Sequence, residues 1–207
     1  KRLLAYSSIA HVGYLLLGIA ALGSVDADGV VSVELTHLAA NGVMLHLAAY
    51  AVTNMAVFLA VTAIYNATGK EGISDLAGVA RRAPKVAVVM AAGLFSLAGL
   101  PIFAGFTSKF YLFNAAATQG LLWLAGLAIF TSFVSLYYYL MVLRQMYVEP
   151  AADPTPMRIP RTTLAVLGIL LMGMVFLGVY PAPLVEAIQH ASDAITSSEG
   201  VLQLVQR

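Results

Sequence analysis

The 207-residue chain is 60% hydrophobic and only 10% charged, against about 25% charged residues in an ordinary soluble domain, so water is not its main solvent. A formal net charge of +1 gives no field to attract nucleic acid, and no basic run interleaved with aromatics marks an RNA or DNA surface. The absence of cysteine excludes a disulfide framework and a cysteine-ligated iron–sulfur or zinc site, and the sequence carries no other metal-ligand cluster, nucleotide fingerprint or flavin motif.

The chain opens on Lys1 and enters an apolar helix at once, with no n-region or cleavage site of a secretory signal. It reads as the back part of a longer protein. The first apolar stretch runs from Leu3 to Leu22, and within it Ser7, His11 and Tyr14 follow i, i+4, i+7 spacing and share one face. A short segment from Ser24 to Glu34 follows. The second stretch, Leu38 to Tyr65, carries His46, Tyr50 and Asn54 at i, i+4, i+8. Either stripe can face water or Lys109 of the third stretch. Histidine suits a relay because its ordinary pKa of about 6.5 lies near physiological pH, and a buried histidine also serves simply as a hydrogen-bonding partner between helices. His37 and His190 lie near a surface and read as solvated residues. The connection from Asn66 to Lys85 holds Asp75, Arg81, Arg82 and Lys85, a loop cluster that sets topology.

The third stretch, Val86 to Ala117, is too long for one span. As a continuous helix it would measure about 48 Å, while the hydrocarbon core is about 30 Å thick and needs roughly 20 residues. The sequence supplies a break at Gly99, Pro101 and Gly105: proline removes a backbone donor and clashes with the preceding turn, and glycine admits backbone angles that other residues resist. Freed backbone groups at membrane depth are tolerated only where protein or cavity water satisfies them. One helical turn beyond Gly105 stands Lys109, with apolar residues on both sides of it. Burial disfavours a charged amine, and a neighbouring carboxylate or water favours it, so the proton occupancy of such a lysine can be switched by a moving partner. The competing reading is a lysine whose stem packs against protein while its head reaches the outer interface.

The fourth stretch, Leu121 to Tyr147, contains Tyr137, Tyr138 and Tyr139, which turn around the helix and suit packing and interfacial anchoring, and Arg144 near its end. A link from Val148 to Arg161, broken by Pro150, Pro154, Pro156 and Pro160, leads to the fifth stretch, Thr162 to Tyr180. The fold class is therefore an all-α membrane protein of about five transmembrane helices, the third discontinuous, in a membrane domain over residues 1–181. The tail 182–207 has helical spacing of apolar residues at Leu184, Val185, Ile188, Ala191 and Ile195; it lies flat on the membrane, rests against a neighbouring protein, or is a loose terminus.

Loop charge alternates. Lys1 and Arg2, then Lys70, Arg81, Arg82 and Lys85, then Arg144, Arg158 and Arg161 fall on one side of a zigzagging chain; Asp26, Asp28 and Glu34, then Gln119, then Glu186, Asp193 and Glu199 fall on the other. The positive-inside rule places the N-terminal end in the cytoplasm or an equivalent compartment.

Four segments carry a resemblance: Lys-Arg-Leu-Leu-Ala-Tyr-Ser-Ser-Ile-Ala-His-Val-Gly-Tyr at 1–14, Asp-Leu-Ala-Gly-Val-Ala-Arg-Arg-Ala-Pro at 75–84, Ser-Leu-Ala-Gly-Leu-Pro-Ile-Phe-Ala-Gly-Phe-Thr-Ser-Lys-Phe-Tyr-Leu-Phe at 96–113, and Tyr-Tyr-Tyr-Leu at 137–140. Together they resemble the antiporter-like subunits of respiratory complex I, NADH–quinone oxidoreductase, and among these the N type. The Lys-Phe-Tyr after the break fits that type, since the M type usually has Glu at the lysine position and the L type continues into a long lateral helix. The resemblance implies the second half of an antiporter-like fold, the last five of fourteen helices, with the twelfth broken and Lys109 as the proton-channel lysine. His11 and His46 are then possible relays, with Tyr14 and Tyr50 as relay or water contacts. Two departures stand out: Gly99-Leu100-Pro101-Ile102 replaces the common Gly-Ile-Pro-Pro, and His46 stands where the family pattern leads to an aromatic residue.

The implied function is proton translocation in a membrane arm, coupled to electron transfer from NADH to quinone elsewhere. NADH, flavin, iron–sulfur clusters and quinone are then expected in partner subunits and no cofactor or metal in this chain. The implied partners are other membrane-arm subunits, membrane lipids and the missing N-terminal half of the same subunit, in a bacterial cytoplasmic membrane. Two alternatives stand beside it: a subunit of an Mrp-type cation/proton antiporter, and a structural scaffold with an inert half-channel.

Overall fold

Long runs of alanine, leucine and valine without proline give long helices, and the proline and glycine clusters fall between them. The computed structural model describes residues 1–22, 33–151 and 153–196. In chain order the helices are α1 (Arg2–Ala20), α2 (Val33–Thr68), α3 (Val79–Arg82), α4 (Pro84–Ala98), α5 (Ala104–Thr118), α6 (Leu122–Tyr147), α7 (Arg161–Val179) and α8 (Ala182–Thr196), with a single 3-10 turn at Ser74–Leu76 before α3. Among the described residues, α1, α2, α6 and α7 are long and apolar enough to cross a membrane, and α4 is a shorter apolar helix. The fifth crossing is built from two pieces, α4 and α5.

α2 is the central member, touching α1, α4, α5, α7 and α8. It is longer at both ends than the apolar stretch from Leu38 to Tyr65, because nothing in its 36 residues breaks a helix before Gly69, which adopts φ 71° and ends it. The main core lies where α2, α4, α6 and α7 meet: Ala56, Val57, Ala60 and Ile64 pack with Val86, Met90, Leu94 and Leu97, Met146, Leu167 and Met174. Small residues on α2 let backbones approach, the usual way of packing helices in lipid, where water does not drive them together. The outer faces of α6 and α7 remain apolar and exposed, with Phe130, Phe133, Ile169 and Met172 turned outward, as a lipid-facing surface requires.

The basic residues gather at one end of the bundle. Lys1 pairs with Glu71 in the connection after α2. Arg82 donates to the Thr155 carbonyl at 3.0 Å and lies 3.6 Å from Asp153, while the Met157 amide donates back to the Arg82 carbonyl. The Asp153 carboxyl is held below the usual range by the Thr155 amide and hydroxyl, with Arg82 adding to the effect. Gln145 reaches the Ser74 carbonyl and ties α6 to the same loop.

Val185 and Ile188 of α8 are buried against Leu45 of α2, with Leu184 and Tyr111 of α5 partly buried beside them, so this part of the helix packs on the chain itself. Asp26, Asp28 and residues 197–207, Glu199 among them, lie outside the described residues.

Candidate functional site

The break begins as a helix terminus of a standard kind. Pro84 opens α4 at the position where its missing N–H costs nothing. Gly99 closes it at φ 87°, a backbone angle that glycine takes without penalty. The Leu100 amide donates to the Phe95 carbonyl and the Gly99 amide to the Ser96 carbonyl, each at 3.0 Å, which is the double bond pattern of a Schellman end. Two terminal carbonyls, Leu97 and Ala98, are left over.

Lys109 takes them. Its Nζ donates to the Leu97 carbonyl at 2.8 Å, to Ala98 at 3.4 Å and to Ser132 Oγ of α6 at 2.8 Å, and the Ser132 hydroxyl in turn donates to Ala98 at 3.0 Å. Three N–H groups of an ammonium meet three oxygens, at the helix end where the macrodipole favours a cation. Lys109 is 4% exposed, and its Nζ stands 4.7 Å from the centre of the Tyr14 ring. Among the described residues its polar partners are carbonyl and hydroxyl oxygens; no carboxylate reaches it.

Gly105 lies inside the first turn of α5, while the connection between the half-helices is 99–103. Its role is therefore close approach: a Cβ there would collide with the Ser96 carbonyl. The Gly105 amide donates to Ser96 Oγ at 3.1 Å, and Ser96 Oγ is 3.0 Å from Thr53 Oγ1 of α2. Pro101 is exposed in the connection. Ile102 beside it adopts φ 82°, which a β-branched residue rarely does.

The polar faces of α1 and α2 meet at this place. His11 Nδ1 is 3.2 Å from His46 Nε2, and His46 Nδ1 is 3.0 Å from Ser108 Oγ. Both histidines are buried. With the Ser108 hydroxyl donating to the Gly105 carbonyl at 3.3 Å, His46 carries its proton on Nδ1 and His11 donates to His46 Nε2. Turning the Ser108 hydroxyl towards His46 reverses every bond in the row, so the row has two directions. Tyr50 stacks on His11 at 4.8 Å and Tyr14 meets it edge-on at 5.4 Å. The Tyr14 hydroxyl is buried without a hydrogen-bond partner among the described residues. Asn54, at the far end of the α2 stripe, is half-buried.

Sequence reasoning missed Ser96, Ser108 and Ser132, and it gave Tyr139 only a packing role. Tyr139 is buried, with its Oη 2.6 Å from Ser7 Oγ. The available signal was a hydroxyl stripe: Ser132, Ser135 and Tyr139 share one face of α6. Among the described residues no group of three potential metal ligands converges.

Residues 1–135 match the family model described as NADH:quinone oxidoreductase/Mrp antiporter, TM. The chain belongs to this family. It is an integral, multi-pass membrane protein of the antiporter-like fold. It is 43% identical over 196 residues to the NADH-quinone oxidoreductase subunit N of Parvibaculum lavamentivorans, covering 94% of this chain and 38% of that protein. To the subunit N of Moorella thermoacetica it is 44% identical over 185 residues, covering 89% and 36%. It thus spans less than two fifths of these relatives' length. Two solved structures share the fold: a chain of the Mrp complex from a Dietzia species, with a TM-score of 0.82 at 22% identity over 97% of this chain and 43% of that one, and a chain of respiratory complex I from Thermus thermophilus, with 0.77 at 23% over 92% and 38%.

Proposed function

We propose that this chain forms the second half of a proton-translocating membrane-arm subunit of NADH–quinone oxidoreductase. The observation that carries the reading is Lys109: a buried amine at the open end of a broken helix, beside a reversible His11–His46–Ser108 row. A neutral amine has two N–H groups for three oxygens, so loss of the proton gives up one of the three bonds by which Lys109 holds the end of α4 and Ser132 of α6. His11 and His46 exchange protons along a row that reads either way, Tyr50 holds the His11 ring by stacking, and Tyr14 spans His11 and Lys109 with a free hydroxyl for water. Gly99, Pro101 and Gly105 shape the break that presents the carbonyls.

This chain's residues do no redox chemistry in the proposal; NADH, flavin, iron–sulfur clusters and quinone belong to partner subunits, with the N-terminal half of the same subunit and other membrane-arm subunits packed around this one. The relatives named subunit N support that placement. The gathering of Lys1, Arg82 and Arg144 at one end supports a cytoplasmic N-terminal end, and the relatives support a bacterial cytoplasmic membrane. A second reading, an Mrp-type antiporter subunit, is favoured by the likeness to the Dietzia chain.

The test is Lys109→Met in the full-length subunit, which keeps most of the side-chain volume and removes the titratable amine. The complex assembles, and pumping and coupled NADH oxidation fall together. Lys109→Arg does not restore them, because guanidinium stays protonated at any accessible pH. Normal pumping per electron in assembled Lys109→Met complex would overturn the proposal in favour of a scaffold role, and sodium-dependent proton exchange without NADH oxidation would favour the antiporter.

A further inference from the structure

Lys109 stands on the first turns of α5, so the place where α5 begins decides whether its amine reaches the Leu97 and Ala98 carbonyls. Ser96 holds that start from the α4 side. The opposite side belongs to α7. Thr107 lies two residues before Lys109, about 200° around the helix from it, and its Oγ1 donates to the Gly178 carbonyl at 2.8 Å. That carbonyl is in the last turn of α7, where partners within the helix run out. One turn earlier on the same face, Met174 is buried in the main core together with Leu167, so the end of α7 is firmly seated.

A second contact lies beside the hydrogen bond. Gly178 turns its bare Cα to the connection between the half-helices, and a Cβ there would collide with the Ile102 and Phe103 carbonyl groups. Ile102 is the residue at φ 82°, and its side chain is largely exposed, so the backbone around it, rather than its own packing, sets the strained angle. Such strain persists where the surroundings over-determine a conformation, and here the α7 backbone is part of those surroundings. We propose that the end of α7 is a support for the break, and that Thr107 and Gly178 are positioning residues for proton transfer, holding the connection and the start of α5 in register with α4 so that the Lys109 amine meets the carbonyls. The proposal rests on the proton-translocation reading. Neither residue carries the proton; both act through Lys109.

The experiment uses the full-length subunit in its assembled complex and compares Thr107→Val, which keeps the branched shape and removes the hydroxyl, with Thr107→Ser, which keeps the hydroxyl. Amide hydrogen exchange over residues 99–106, measured in resting complex, reads the hydrogen bonds of the Gly99, Leu100, Gly105 and Phe106 amides at the break. Pumping per assembled complex reads Lys109. Thr107→Val exchanges several-fold faster over this segment and pumps several-fold more slowly, and Thr107→Ser restores most of both. Gly178→Ala, which must displace the connection, has the same two effects; Gly168→Ala on the same helix, with nothing within 4 Å of its Cβ, has neither. Unchanged exchange in Thr107→Val overturns the support, and Gly178→Ala behaving like Gly168→Ala overturns the part given to Gly178. Faster exchange with unchanged pumping overturns the positioning role, as does a failure of Thr107→Ser to restore pumping. Exchange is read without turnover, so the support is tested separately from the translocation reading, which falls if Lys109→Met fails to stop pumping.

Discussion

The Ser132 hydroxyl stands between Lys109 Nζ at 2.8 Å and the Ala98 carbonyl at 3.0 Å, accepting from the first and donating to the second. Because its single hydrogen is committed to the carbonyl, its lone pairs are presented to the lysine. One serine on α6 thus fixes both the lysine head and the end of α4.

Ser132→Ala removes that link and leaves Ala98 with only the longer 3.4 Å contact from Lys109. A buried polar group deprived of its partner costs about 1–3 kcal/mol. Lower thermal stability of the purified complex and reduced pumping are the expected result, and Ser132→Thr, which keeps the hydroxyl, recovers most of both. A Ser132→Ala complex with unchanged stability and turnover would show that the serine is not needed at the helix end.

Gly105→Ala places a methyl group against the Ser96 backbone, which has no flexible end to move. The two half-helices must separate, at a cost of about 1–3 kcal/mol, and Lys109 is carried away from Leu97. Pumping falls although the amine is intact. Gly13→Ala on α1 is the control, since nothing lies within 4 Å of a Cβ there; equal tolerance of the two substitutions, measured by complex yield and pumping, would remove the close-approach argument.

Ile102 is 62% exposed and adopts φ 82°, a left-handed angle costing an ordinary residue about 1–2 kcal/mol. Ile102→Gly relieves that strain, offset in part by the greater freedom glycine gives the unfolded chain. A net stabilisation of under about 1 kcal/mol is expected, read as a raised unfolding midpoint; a lowered one would show that the isoleucine side chain is held by something worth more than the strain.

Cysteines at Lys70 and Arg82 label with an impermeant reagent from the cytoplasmic side, and cysteines at Asp26 and Glu199 from the other, following the alternation of loop charge. Labelling of all four positions from one side contradicts a five-crossing chain.

The all-helical membrane fold was legible because hydropathy over some 20 residues is a strong signal, and the excess length of Val86 to Ala117 together with Gly99 and Pro101 pointed to two pieces. Spacing put His11 with Tyr14 on one face and His46 with Tyr50 on another, but no spacing says which faces meet. Ser96, Ser108 and Ser132 were hidden for a different reason. A serine in an apolar helix commonly bonds the carbonyl one turn back, as Ser8 does to Leu4 and Ser135 to Thr131, so its sequence does not reveal the few that reach across. The α8 helix shows the same limit: its apolar spacing fitted a membrane surface, a neighbouring protein or a loose terminus, and no spacing could say that Val185 and Ile188 pack on Leu45.

The break in the third crossing is braced from both directions. Ser96, on the first piece, accepts from the Gly105 amide of the second; Lys109, on the second, donates to the carbonyls that end the first. A joint fastened twice in this way does not swing as a hinge. Removing a proton from Lys109 loosens one of its two fastenings and leaves the other, so charge at that position sets how stiffly the two pieces are held, and the remaining fastening at Ser96 becomes the pivot about which any movement must turn.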